Sequence, residues 1–288
     1  MSALLASALL AAQGKVFFRS PNGDFVLRNF DTSEATFTPG GMTFSGNGKP
    51  VIIELPNYGT EMRCPKLSGT TGTVGPKTFL KTALLEGGLV ITGDQNKAVP
   101  ITDGGPTLLP DTSGIKDAKF ELKTERGVYT GEPERGKFEL PSPMTFTQSF
   151  TLVDAAQPGT PSNVRTLFEA GRSILEVALG NAKDVVQWAE LRNSVHIHIE
   201  IDKVTPKGPD HQVYDFKANE ADLNFRDPNN KTAQIRGKVI ITGNAVGLNG
   251  TVNADQATVW FAPDNRVLKI EVKGSPINAV LNAGGGDR

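Results

Sequence analysis

Two histidines in a strand-like run are the residues whose spacing could do chemistry. His196 and His198 lie in the sequence Val-His-Ile-His-Ile-Glu-Ile, where apolar and polar residues alternate. Alternate residues of a β-strand share one face, so we expect both imidazoles to point the same way as Glu200. Such a pair can bind zinc or another transition metal. Because the other face carries the apolar residues, we expect these histidines to face solvent, and we predict no metal and no other cofactor.

Other signals of catalysis are weak. The third histidine, His211, lies in a loop-like stretch, and Cys64 is the only cysteine, so no intrachain disulfide is possible. We predict that Cys64 is a small strand residue rather than a nucleophile, and that Trp188 and Trp260 are packing residues rather than ligand platforms. The chain contains no phosphate-binding loop, dinucleotide-binding glycine motif, nucleophile elbow or CxxC pair. We therefore predict that the protein is not an enzyme.

Composition and charge narrow the function classes further. The chain has 288 residues, which is enough for one large domain or two ordinary ones. Its 31 glycines and 19 prolines suit many short strands joined by turns. The formal net charge is −1, whereas a nucleic-acid-binding protein normally has a basic face. We therefore predict no nucleic-acid partner.

Residues 1–14 form a separate segment. An apolar run covers residues 3–12 and ends in small residues, as in the hydrophobic region and cleavage site of a secretory signal. No Lys or Arg precedes the run, so a short N-terminal helix and a truncated gene start are alternatives. The run is too short to span a bilayer. We expect an exported, periplasmic protein.

A repeated hairpin organises the rest of the chain. Residues 220–225 (EADLNF) correspond to residues 256–261 (QATVWF), and the return strand around Gly237 corresponds to the one around Gly274, with a period of about 36 residues. Each unit has an alternating strand beginning near an Ala, then a turn rich in Asp, Asn and Pro, and an alternating return strand with a glycine. Similar outlines begin at Ala35 and Ala118. Stacked hairpins bury a continuous apolar face, and the recurring Ala and Gly leave room in a narrow interior or permit a bulge.

One segment fits the repeat poorly. Residues 162–190 read either as an amphipathic helix or as two strands broken near Gly171 and Gly180, and we favour strands because the surrounding chain is β. The stretch before it, DAAQPGTPSN, has the composition of a linker. It is our candidate boundary between two halves.

The repeat resembles the OstA-like family of periplasmic lipopolysaccharide-transport proteins, the group that includes LptA and LptC. The best match covers residues 253–274, the next covers residues 218–241, and the resemblance extends over residues 190–280 and more loosely over residues 30–142. It implies an all-β fold, an open, twisted antiparallel β-jelly roll built of repeated hairpins. The chain exceeds one such module in length, so we expect two, at residues 15–153 and 162–282.

The resemblance also implies a function. Family members hold lipopolysaccharide acyl chains in the apolar interior and join neighbouring modules through edge strands, in a transport bridge that serves outer-membrane assembly. The expected partners are lipopolysaccharide or another acyl lipid and other bridge proteins, with a homo-oligomer as a further option. The positions that match the inward-facing pattern are Leu223, Phe225, Ile235, Val239, Ile241, Val259, Phe261, Ile270 and Val272.

Two rival functions remain at this point. The same apolar residues would equally fill the core of a structural β-solenoid scaffold. A jelly-roll enzyme or a metal- or sugar-binding protein would instead use His196, His198 and Glu200. An open apolar groove favours lipid transport, a filled interior favours the scaffold, and a convergent polar pocket at the histidines favours the third class.

Overall fold

The structure is a computed structural model that describes most of the chain. The described residues are 15–20, 23–75, 77–97, 115–132, 135–153, 161–178, 186–205, 208–227, 229–245, 248–262, 267–275 and 277–281. The segment 1–14 and most of the predicted linker lie outside them. Seventeen β-strands and two short 3-10 helices make up the described chain, and every strand pair with a described register is antiparallel. The predicted all-β, antiparallel fold is confirmed.

The strands are numbered in their order along the chain. The first eight are β1 (Lys15–Ser20), β2 (Gly23–Arg28), β3 (Thr32–Thr38), β4 (Gly41–Leu55), β5 (Thr60–Val74), β6 (Lys77–Asp94), β7 (Ile115–Gly131) and β8 (Arg135–Leu140). The remaining nine are β9 (Met144–Leu152), β10 (Ser162–Ala170), β11 (Arg172–Ala178), β12 (Val186–Thr205), β13 (Gly208–Asn224), β14 (Lys231–Ala245), β15 (Leu248–Phe261), β16 (Val267–Lys273) and β17 (Asn278–Leu281). The 3-10 helices are Pro56–Tyr58 and Gln95–Lys97. No helix among the described residues is both long and apolar enough to cross a membrane.

The ambiguous segment is resolved within its described part. Residues 162–178 form strands β10 and β11, which meet at Gly171. The strand interpretation is therefore confirmed there. The break occurs where Gly171 donates its backbone N–H to the carbonyl of Asn193, and a Cβ on Gly171 would lie 2.7 Å from that oxygen.

The chain forms two compact units. Unit 1 comprises Met1–Asp111, Phe120–Ser142 and Ile174–Val186, and unit 2 comprises Thr112–Lys119, Pro143–Ser173 and Gln187–Arg288. In unit 1, β1 pairs with β2, β2 and β3 pair with β4, β4 pairs with β5, and β5 pairs with β6. Strand β1 also lies beside β6, so this series of strands closes on itself.

Unit 2 contains the two hairpins that define the repeat. Strand β10 pairs with β9 and β12, and β12, β13, β14, β15 and β16 then pair successively. Strand β17 pairs with the first half of β15. The turn between β13 and β14 forms as predicted, because Asn230 donates its backbone N–H to the carbonyl of Asp227.

The recurring alanines have a packing role in unit 2. Ile235 on β14 lies opposite Ala221 on β13 and Ala257 on β15, and all three are at most 3% exposed. Two residues further along the strands the large and small side chains change places, because Ala233 on β14 lies between Leu223 on β13 and Val259 on β15. Alternating large and small side chains across strands fills an interior without voids. This explains why an alanine recurs at one point of the hairpin.

Of the two repeat glycines, Gly237 marks a β-bulge, whereas Gly274 follows the last residue of β16. Pairing between β14 and β15 shifts between Arg236 and Val239, where Gly237 has φ +77°. The neighbouring pair of strands has a similar irregularity. The pairing register of β12 with β13 shifts between Arg192 and Val195, opposite the part of β13 that contains Asn219. A bulge inserts an extra residue and bends the strand without ending it. Of the two roles expected for the repeat glycine, space in the interior or a bulge, Gly237 has the second.

Replacing Gly237 with alanine tests the bulge. The substitution forces a Cβ into the left-handed region and places it 2.8 Å from the Asn219 side chain. We expect the free energy of unfolding to fall by about 1–2 kcal/mol. Gly40→Ala is the matched control, because a Cβ there meets nothing within 4 Å. Urea unfolding of both variants measures the difference, and equal stability would contradict a strained bulge.

Candidate functional site

The nine predicted lining residues separate into two groups. Five are buried, with exposures between 1% and 5%, and these are Leu223, Ile235, Val239, Ile241 and Val259. Four are only half-buried, namely Phe225, Phe261, Ile270 and Val272. The side chains on this face are therefore shielded from solvent along β13, β14 and most of β15, and they become partly exposed toward β16.

The half-buried group lies at two borders of the buried face: Phe225 and Phe261 at one end of the hairpins, and Ile270 and Val272 along β16. The rings of Phe225 and Phe261 meet edge to face, with 5.8 Å between their centroids. Ile270 lies opposite Val259, and Val272 lies opposite Ala257, so β16 extends the buried rows outward. No residue of β16 is buried. We call Phe225, Phe261, Ile270 and Val272 the apolar rim.

Cations and indoles surround the same end of unit 2. The Lys231 ammonium lies 5.9 Å from the Phe225 ring centroid, and the Lys269 ammonium lies 4.9 Å from that of Trp260. The Arg226 guanidinium lies 5.6 Å from the Trp188 ring, which completes a third cation–aromatic pair. Both indoles therefore pack against cationic side chains. Leu268, next to Lys269, is 66% exposed.

Unit 1 contains a separate groove of about 390 Å³. Its floor is a row of four threonines that lie opposite one another across four adjacent strands, namely Thr36, Thr43, Thr70 and Thr82. The hydroxyls of Thr70 and Thr82 are 2.7 Å apart. Leu84 and Val128 add apolar surface. None of the predicted lining residues belongs to this groove.

The two histidines form a polar cluster with carboxylates from three strands. As predicted, His196 and His198 lie on the face of β12 opposite its buried isoleucines, and their side chains are 26% and 28% exposed. A single oxygen of Asp215, on β13, lies 2.7 Å from His196 Nε2 and 3.0 Å from His198 Nδ1. Glu169, on β10, lies 2.9 Å from His196 Nδ1, and Glu200 lies 3.1 Å from His198 Nε2. Each imidazole therefore contacts carboxylates through both of its nitrogens.

This arrangement favours positive charge on the His196 ring. A neutral imidazole has one N–H, so His196 can donate to both Asp215 and Glu169 only as an imidazolium. Burial opposes that charge, but the hydrogen bonds and charges of Asp215 and Glu169 outweigh burial and raise the pKa of His196. For Asp215, burial is likewise outweighed, and the hydrogen bonds from His196 and His198 lower its pKa. The hydrogen bond from His198, despite an opposing effect of burial, lowers the pKa of Glu200.

The sequence identified only part of this cluster. Glu200 shares the histidine face as expected, but it contacts the far nitrogen of His198 and the guanidinium of Arg165, at 3.4 Å. The carboxylate that joins the two rings is Asp215, which the sequence analysis missed. Asp215 lies opposite His198 in the register of β12 and β13. Only that register, which is unbroken from Val195 to Thr205, brings the two side chains together.

The other two candidate residues lie apart from this cluster. His211 Nδ1 lies 2.7 Å from the Asp202 carboxylate on the exposed surface. Cys64, on β5 in unit 1, is 1% exposed. Burial raises the pKa of the Cys64 thiol to about 11, although backbone hydrogen bonds from Glu86 and Lys66 oppose the shift. The prediction that Cys64 is a packing residue is supported by its burial.

Thiol labelling tests the state of Cys64. A pKa shift from 9.0 to about 11 reduces the thiolate fraction at neutral pH about 100-fold. We therefore expect an aromatic disulfide reagent to react at least about 100-fold more slowly with the native protein than with the urea-unfolded chain. The rate should rise as the pH approaches 11. Cys64→Ser provides the blank, and rapid labelling of the native protein at neutral pH would contradict the burial.

Comparison with known proteins returns no relative. No protein-family profile, no curated protein and no solved structure matches this chain. The function of the protein therefore has to be argued from the apolar rim and from the histidine cluster of unit 2.

Proposed function

We propose that the protein is a non-enzymatic acyl-lipid carrier of the lipopolysaccharide-transport type, and that unit 2 holds the acyl chains against its apolar rim. The observation that carries this proposal is the partly open inner face at Phe225, Phe261, Ile270 and Val272, which continues the buried rows of β13 to β15. The finer fold that goes with this function is an open, twisted jelly roll. The expected compartment is the periplasm, where such carriers serve outer-membrane assembly.

The rim suits hydrocarbon because its side chains are apolar and only partly shielded. Each methylene group moved from water onto such a surface contributes about 0.8 kcal/mol. Ile270 and Val272 present branched aliphatic groups, and Phe225 and Phe261 present ring edges and faces. The five buried lining residues support this surface from beneath. We therefore assign acyl contact to the four rim residues and assign core packing to the five buried ones.

The cations beside the rim suit an anionic lipid headgroup. Arg226 and Lys269 lie at the same strand ends as Phe225 and Phe261, and guanidinium and ammonium groups form strong, charge-assisted hydrogen bonds with phosphate. Lys269 projects from the face of β16 opposite Ile270, so it would meet the headgroup at the strand end rather than above the rim. Lys231 is 1% exposed, and we assign it to the core. The indoles of Trp188 and Trp260 alternate with inward-facing residues of β12 and β15, so they lie on the outer face of the same strand ends.

Strand β16 supports the bridging part of the proposal. It is the last long strand of the series that begins at β12, it pairs with β15, and none of its residues is buried. An exposed strand edge can add a strand from another chain through backbone hydrogen bonds. The partner that this mode implies is a second β-module, either another bridge protein or a copy of this chain.

A structural scaffold is the second candidate function. The observation that favours it is the complete burial of Ile235, Val239, Ile241 and Val259 between facing alanines and other apolar side chains. A filled interior needs no ligand. The two candidates differ at the rim, because a scaffold would leave it in contact with solvent or with another protein, whereas a carrier would place lipid there.

Site-specific photo-crosslinking distinguishes these functions. A benzophenone amino acid at Phe261 should form a covalent adduct with an acyl lipid in cells that express the protein. The same amino acid at Lys238, an exposed position on the bulge of β14, is the matched control and should give no lipid adduct. Mass spectrometry of the adducts and of lipid that co-purifies with the native protein identifies the ligand class. Lipid adducts at Lys238 alone, or none at Phe261, would contradict the carrier function.

A charge reversal tests the headgroup contact separately. Lys269→Glu places a carboxylate beside Trp260 and next to Glu271 on the exposed face of β16. We expect less anionic lipid to co-purify, with the free energy of unfolding changed by no more than about 0.5 kcal/mol because the site is on the surface. Lys217→Glu, another exposed lysine of unit 2 that lies away from the rim, is the control and should leave lipid content unchanged.

A further inference from the structure

The side chains of His196, His198 and Asp215 have the composition and spacing of a transition-metal site. One ligand atom from each residue can be chosen so that all three atoms lie within 4.8 Å of one another. Ligands at about 2.0–2.1 Å from a tetrahedral metal are roughly 3.3 Å apart. The 2.7 and 3.0 Å contacts from Asp215 to the two imidazoles require only a small separation to reach that spacing.

We propose that unit 2 binds a divalent transition-metal ion, with zinc as the best fit, through His196 Nε2, His198 Nδ1 and the Asp215 carboxylate. Imidazole nitrogen suits zinc, copper and nickel, whereas magnesium and calcium prefer oxygen ligands. Three protein ligands on a half-exposed face leave a fourth position that water or an external ligand can fill. This site is independent of the lipid function, because it lies on the face of β12 opposite the buried isoleucines.

The surrounding carboxylates complete the arrangement. Metal-binding histidines usually donate their second ring N–H to a carboxylate, which fixes the ring orientation. Here Glu169 is positioned to accept from His196 Nδ1, and Glu200 is positioned to accept from His198 Nε2. On the ring nitrogen that faces away from the proposed ion, each imidazole therefore already has a carboxylate partner.

A charge argument distinguishes this cluster from an ordinary surface ion-pair network. Asp215, Glu169 and Glu200 contact the two rings from three strands, so the centre of the cluster needs positive charge. A divalent ion between the two rings supplies that charge at the point where the carboxylates converge. Two cations lie beside the cluster: the Lys217 ammonium is 3.9 Å from Asp215 and the Arg165 guanidinium is 3.4 Å from Glu200, and both side chains are 61% exposed.

Zinc binding to the intact protein tests the proposal. Equilibrium dialysis at neutral pH should give one bound zinc ion per chain, and cobalt should give the visible absorption of a four-coordinate site. The double variant His196→Gln, His198→Gln and the single variant Asp215→Asn should lose this binding. Glu169→Gln should weaken it about 10- to 100-fold. His211→Ala is the matched control, because His211 is a surface histidine of unit 2 outside the cluster, and its affinity should equal that of the wild type.

A second measurement requires no variant. Diethyl pyrocarbonate modifies neutral imidazoles, so bound zinc should protect His196 and His198 and leave His211 reactive, as peptide mass spectrometry can resolve. Two results would overturn the proposal. One is the absence of zinc binding and of protection in the wild-type protein, and the other is unchanged zinc affinity in a folded double variant.

Discussion

Strand register across the mid-strand bulges is the constraint on which the rest of unit 2 depends. Side chains of a strand alternate between faces, so a slip of one residue would move every inward side chain to the outside. Strand pairing is regular before and after Gly237 in β14, and before and after Asn193 and Ser194 in β12. The bulges therefore allow long strands to bend while both halves keep their apolar residues on the same side.

Two kinds of chemistry are separated by this register. The inner face of β12 carries Val195, Ile197, Ile199 and Ile201, all buried, whereas its outer face carries the histidine cluster. Each inner residue excludes water, and each outer residue finds partners on neighbouring strands. Because the two sets alternate along one strand, neither can be shifted without disrupting the other. The alternation that places apolar side chains inside also places His198 opposite Asp215.

Features that depend on local sequence were predictable, and features that depend on long-range pairing were not. Alternation predicted the direction of His196 and His198, and the repeat predicted the hairpins and the glycine bulge. Asp215 was missed because it lies 17 residues from His198 in the chain, and only antiparallel pairing makes them neighbours. The open rim was missed because Phe225 and Phe261 match buried positions in the pattern. Their exposure follows from their place at the strand ends, where Phe225 comes just after β13 and Phe261 ends β15 beside β16.

The order of strands in unit 2 has a consequence for how the protein is made. From β12 to β16, every strand pairs with the one that follows it in the chain, so each new strand meets a partner that has already been synthesised. Such sequence-local pairing lowers the entropy lost in closing loops and keeps the contact order low for an all-β structure. The same connectivity makes the hairpin a natural unit of duplication. Insertion of one more hairpin would lengthen the sheet and preserve its register, so the length of the inner face is set by the number of copies.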